Sequence, residues 1–164
     1  MLFYQNWVWN QVYGKASAYD NQNRPIRATG IWTDINLEKR IEDKLNLYSH
    51  AFQSTQDIVI ILDNKLNILA VNQAYKDATG FPCRHLVGKN MLEIVSTRFT
   101  QEETQKIKQF VELNKRWNGE SSVPRRYSSS FPVDVRVNII TKDSVNTGYV
   151  VVMSDISQLK KLSQ

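Results

Sequence analysis

The chain has 164 residues, 41% hydrophobic and 10% aromatic, with a formal net charge of +5 and a pI near 9.3. This length suits one ordinary domain with a fragment of a second, and the apolar content argues against wholesale disorder. The single cysteine, Cys83, excludes an intrachain disulfide and a four-cysteine zinc site, and fits a reducing cytosol.

The first residues do not read as a signal peptide, because no basic segment precedes a long apolar one. Trp7 to Val12 alternates apolar and polar residues and predicts a strand. A polar turn then leads to a second strand ending at Thr33-Asp34-Ile35-Asn36. From Leu37 to Phe52, the residues Ile41, Leu45, Tyr48 and Phe52 fall on one helical seam with charged outer positions. A coiled-coil seam and an amphipathic helix packed on its own domain both fit that pattern.

Ile58 to Leu62 is short and β-branched and predicts a buried strand. Asp63 to Asn67 is a turn and Ile68 to Val71 the paired strand. Asn72 is expected to cap a short helix, Gln73 to Ala78, through its side-chain oxygen, with Gly80 closing it. Thr100 and Glu103 have the spacing of a capping box before a helix over 101–115. Its expected inner stripe is Ile107, Phe110, Val111 and Asn114, and Trp117-Asn118-Gly119 is expected to end it. Three strands follow, Glu120 to Tyr127, Phe131 to Ile140 and Thr147 to Ser154, with Ser128 to Ser130 as a hairpin turn. In the middle one, Phe131, Val133, Val135, Val137 and Ile139 alternate with polar residues, so the apolar set shares one face. The order predicts an α+β fold with one antiparallel sheet.

The longest apolar runs, Ile58 to Leu62 and Tyr149 to Met153, fall far short of the roughly 20 residues of a membrane span. The basic residues are scattered among acids and polar groups, so a solvated basic surface is expected and a nucleic-acid partner is not. A partial repeat organises the chain. Gly30-Ile-Trp-Thr-Asp-Ile-Asn-Leu-Glu-Lys39 and Val151-Val-Met-Ser-Asp-Ile-Ser-Gln-Leu-Lys160 each run from an apolar strand through Asp-Ile into a charged helical segment. The expected organisation is 1–36 as the last strands of one unit, 37–54 as a connector, 55–156 as a complete unit, and 157–164 as the start of the next connector.

Several short motifs, in this order, resemble a PAS domain preceded by the C-terminal part of another. They are Asp57-Ile-Val-Ile-Ile-Leu-Asp63, Ala70-Val-Asn-Gln-Ala-Tyr75, Ala78-Thr-Gly80, Leu86-Val-Gly-Lys-Asn90, Trp117-Asn-Gly-Glu120 and Ser154-Asp-Ile-Ser157. In the first unit they are Trp7-Val-Trp9, Asn23-Arg-Pro25 and Thr33-Asp-Ile-Asn36. The resemblance implies a PAS-like five-stranded antiparallel sheet with helices on one face around a small pocket, preceded by a β-hairpin fragment and a connecting helix. It implies a bacterial-type sensory and relay module, itself non-catalytic, acting on an output domain in the same chain: a diguanylate cyclase, a phosphodiesterase or a histidine kinase. Asp155, Ile156 and Ser157, with Asp34 and Asn36 in the first unit, would couple a last strand to an exit helix, where Asp155 or Ser157 can also act simply as a cap. Residues 37–54 resemble the signalling helix between tandem PAS domains, and its pairing would make a parallel homodimer.

Tyr75, Phe99, Phe110, Trp117, Tyr127 and Val135 are candidates for a pocket lining or for plain core. Few polar groups converge on the expected core, which favours an apolar ligand or a ligand-free dimerisation scaffold. No cofactor is assigned. Met91, in Gly88-Lys-Asn-Met91, stands where a flavin-adduct cysteine would be, and residues 101–115 hold no histidine to ligate haem. Cys83 reads as a loop or core thiol, and His50 lacks the surroundings of a phosphoacceptor.

Overall fold

The computed structural model describes residues 8–95 and 99–163. The chain divides into two compact units, Met1–His50 and Ala51–Gln164.

In the first unit β1 (Asn10–Tyr19) and β2 (Pro25–Asp34) pair antiparallel, from Asn10 opposite Asp34 to Tyr19 opposite Pro25. The expected strand at Trp7 to Val12 is displaced: β1 begins later and runs much further, and Trp7 lies outside the described residues. The extension is carried by Gly14, Ala16 and Ala18, whose small side chains give no apolar alternation to read. Asp20 shapes the turn by accepting the Gln22 and Arg24 N–H groups on Oδ1, both at 2.9 Å, while Asn23 takes a left-handed φ of 61°. Every position of β2 is exposed, and Trp32 is 72% exposed. Helix α1 (Asn36–Ser54) follows, and the division between the units falls inside it.

The second unit is built on β3 (Ile58–Asp63), β4 (Ile68–Val71), β5 (Arg116–Val123), β6 (Phe131–Lys142) and β7 (Val145–Asp155). They form one antiparallel sheet in the order β4-β3-β7-β6-β5. The helices are α2 (Gln73–Thr79), α3 (Met91–Val95), α4 (Gln101–Asn114) and α5 (Ser157–Leu162). Alternation sets the inner face: Ile58, Ile60 and Leu62 on β3, Phe131, Val133 and Val135 on β6, and Tyr149 and Val151 on β7 are all buried. This face and the residues packed on it form the core. Burial of apolar area is its main stabilisation, about 1.5–3 kcal/mol for each large aliphatic side chain.

The turn Asp63–Asn67 repeats the first unit's device. Asp63 Oδ1 accepts the Lys65 and Asn67 N–H groups, and the left-handed residue is Leu66, φ 70°. Helix α2 ends as its sequence indicates, with Gly80 at φ 77° donating its N–H to Lys76 O. Helix α4 starts on the Thr100–Glu103 capping box, with both reciprocal bonds present. Its end differs from expectation. Lys115, in the left-handed conformation at φ 66°, stops the helix, and Trp117 to Gly119 already belong to β5, which ends at Val123. The backbone reverses at a lysine, so no glycine or proline marks the boundary.

Asn72 also departs from expectation. It sits before α2, but its side chain makes no cap bond. It is fully buried and turns inward: Oδ1 accepts the Val59 N–H at 2.9 Å, and Nδ2 donates to Asp57 O and Phe52 O at 2.9 and 3.2 Å. The Gln73 N–H at the helix start goes to Gln53 Oε1. A buried amide with all three partners is worth more in the interior than a surface cap.

Candidate functional site

A cavity of about 460 Å³ lies between the inner sheet face and the helices of the second unit. Strands β6 and β7 supply Val133, Val135, Tyr149, Val151 and Met153, and β3 supplies Ile60 and Leu62. Met91 and Ile94 on α3 and Ile107 and Val111 on α4 lie among the other walls. Of the candidate lining residues, Tyr75, Phe99, Trp117 and Val135 meet there. Phe110 and Tyr127 do not. Phe110 is half exposed on the outer side of α4, and Tyr127 is 82% exposed with the Arg126 guanidinium 5.1 Å from its ring.

The difference at Phe110 comes from a choice of helix face. The inner stripe of α4 is Thr104, Ile107, Lys108 and Val111, which have i, i+3, i+4, i+7 spacing, while Asn114 is exposed. A hydrophobicity reading prefers Phe110 to Lys108 and so rotates the helix. Trp117 lies flat along its own strand, because the position next but one is glycine: a Cβ on Gly119 would stand 2.6 Å from the indole.

Burial pushes the Tyr75 and Tyr149 phenols above their ordinary pKa, so both are neutral donors at physiological pH. Asn146 Nδ2 donates to Tyr149 Oη at 2.8 Å. Met91 is buried in the cavity wall. Cys83 is half-buried in a short 3-10 turn, Cys83–His85, where its Sγ donates to Asn72 O at 3.3 Å. His50 and His85 are exposed. Among the described residues, no group of three or more His, Cys, Asp or Glu side chains is arranged to hold a metal ion. Among them, too, no helix is long and apolar enough to cross a membrane.

The cavity floor continues directly into the Asp155 corner. Met153 lines the cavity, and two residues on Asp155 ends β7. Asp155 Oδ1 accepts the Ser157 N–H at 2.8 Å, and the N-cap position of α5 is held by Ile156, not by Asp155 or Ser157 as expected. Ile156 N–H donates to Pro132 O at 3.1 Å. Arg125, which the sequence reading did not single out, reaches this corner. Its guanidinium lies 3.5 Å from Asp155 Oδ2, donates through Nε to Ala78 O at 3.2 Å, and stacks 4.1 Å over the buried Phe131 ring. One side chain thus touches the end of α2, the start of β6 and the exit corner. No local pattern could reveal it, since its partners are distant in sequence.

In the first unit Asp34 Oδ1 accepts the Asn36 N–H at 2.9 Å, and Asn36 Oδ1 accepts the Trp9 N–H at 2.7 Å. The seam residues Ile41, Leu45 and Tyr48 of α1 are exposed, and Phe52 is half-buried.

A five-stranded antiparallel sheet with an apolar cavity under its helices defines a small α+β pocket domain. The chain matches the PAS fold over residues 46–156, and it belongs to the PAS family. Solved structures agree in fold. A PAS domain from Colwellia psychrerythraea is 18% identical, with a TM-score of 0.62 over 71% of this chain and 99% of that one. The PAS domain of an HTR-like protein from Haloarcula marismortui is 22% identical, with a TM-score of 0.61 over 73% and 98%. The PAS domain of Bordetella pertussis BvgS is 16% identical, with a TM-score of 0.54 over 77% and 95%. No curated protein sequence matches the chain.

Proposed function

We propose that the second unit is a sensory relay module, itself non-catalytic, that biases an output domain of the same protein through α5. The observation that carries this is continuity: β7 forms cavity floor at Tyr149, Val151 and Met153 and then, without interruption, the Asp155 corner that starts α5. A ligand that repacks those side chains acts on the strand whose end sets the helix. The coupling needed is small, about 1–3 kcal/mol, and a cap with its neighbouring contacts is of that size. A diguanylate cyclase, a phosphodiesterase or a histidine kinase fits as output, with cyclic-dinucleotide turnover preferred and a cytoplasmic setting. The likeness of the fold to a PAS domain from a two-component sensor histidine kinase supports the signalling class.

In the same reading, residues 1–36 are the last strands of a preceding PAS unit, and α1 is the connector. The support is the repeated geometry of the Asp-Ile corners and the fully exposed β2. The second reading is a ligand-free scaffold in which α1 pairs with a second copy. The exposed Ile41, Leu45 and Tyr48 favour it.

Native mass spectrometry of freshly purified protein, with an absorption spectrum of the same sample, separates the two. A stoichiometric small-molecule mass lost on denaturation is expected of the sensor. A bare protein in a concentration-dependent monomer–dimer equilibrium would replace it with the scaffold.

A further inference from the structure

The cavity walls are almost wholly apolar, but their polar groups have a definite sign. Among the described residues no carboxylate lines the cavity, and Lys108 is its one cation. Lys108 is half-buried on the inner stripe of α4, one turn beyond the Thr104 hydroxyl. Three other lysines have acids: Lys39 pairs with Glu42 at 2.9 Å, Lys106 with Glu102 at 2.7 Å, and Lys160 with Glu120. Among the described residues Lys108 pairs with none. Its stem lines an apolar wall while its ammonium has no acid of its own, so an anion at that edge of the cavity would find an unmatched positive charge.

We propose that the cavity takes an aliphatic monocarboxylic acid, its chain along the β6–β7 floor and its carboxylate at Lys108; this rests on the cavity being the sensing site. The walls decide the class. A dianion would leave one charge unmatched against hydrocarbon, and a cation would meet Lys108. A polar heteroaromatic ring would leave edge atoms unpaired, since the remaining polar lining is a few hydroxyls, two phenols and an indole. A single chain with one acidic end leaves nothing unpaired. About 460 Å³ is within the roughly 300–1,000 Å³ usual for ligand pockets. The net charge of +5 also favours an anion's approach.

Titration of the full chain with decanoic acid, decan-1-ol and decanedioic acid, followed by tryptophan fluorescence, tests this, because Trp117 lines the cavity. Decanoate should bind about tenfold more tightly than decanol, the size of one charge-assisted hydrogen bond. Lys108→Gln should remove that advantage and leave decanol binding unchanged, Lys108→Arg should keep it, and the diacid should bind worst. Equal binding of decanoate and decanol, or a Lys108→Gln variant that still prefers the acid, would overturn the acid assignment and leave the cavity as a ligand site. Binding of none of the probes, with Val135→Trp as the filled-cavity control giving the same flat titration, would overturn both.

Discussion

At the first corner Asp34 accepts the Asn36 N–H and Ile35 N–H donates to Trp9 O at 3.1 Å; at the second, Asp155 accepts the Ser157 N–H and Ile156 N–H donates to Pro132 O at the same distance. The register agrees too, since Asn10 faces Asp34 as Val133 faces Asp155. They differ in what holds the aspartate. Asn36 adds a bond to Trp9 N–H, within the hairpin. Pro132 has no N–H to offer, and the second corner instead draws Arg125 from beyond the sheet's own hairpin. The same backbone corner is therefore a local lock in one unit and a junction wired to the pocket domain in the other.

The largest expected effect comes from the pocket domain's buried anchor. Asn72→Ala leaves the Val59 N–H and the Phe52 and Asp57 carbonyls without their side-chain partner in the interior. It should cost about 2–3 kcal/mol in urea denaturation. A loss below about 0.5 kcal/mol would mean that water replaces the amide. Next, Arg125→Ala should cost about 1–2 kcal/mol, from the stacked Phe131 ring and the Ala78 carbonyl. In a double-mutant cycle its coupling to Asp155→Ala should be about 0.2–1 kcal/mol, since both groups are partly exposed. Zero coupling would remove the distinction between the two corners. Asn36→Ala should cost about 1 kcal/mol and act on the first unit only. Protection of the Trp9 amide in hydrogen exchange is the readout.

The smallest effect is on pH. Hydrogen bonds from the Asn67 side chain and backbone hold Asp63 below the usual carboxylate pKa, and the backbone N–H of Arg24 does the same for Asp20. Both folded values are depressed, so each contribution is present above the unfolded value of 3.8 and is lost as pH falls through the folded one. Asp63→Asn should flatten the acid limb of the second unit's stability curve. An unchanged acid limb would place its pH sensitivity in other carboxylates.

Periodicity and punctuation made most of this fold legible. The β6 alternation, the Thr100 capping box and Gly80 behave as their local chemistry dictates, because each is settled within a few residues. Three features escaped, each for its own reason. The stop at Lys115 is a left-handed residue without the usual glycine. The amide of Asn72 bonds to three separate backbone groups, where a cap would have used one nearby. Lys108 takes the inward position that hydropathy assigns to Phe110, since the four-methylene stem of a lysine can line an apolar wall. The Asp-Ile corners were visible only because the chain writes them twice.

Gly119 carries a consequence for selectivity. It is absent from the cavity wall, yet the Trp117 indole lies where its side chain would be. An alanine there must displace the ring, and the ring is part of the wall. If the cavity is the sensing site proposed above, the girth of what it admits is set in part by a residue outside its wall, and a search confined to wall residues would pass over it.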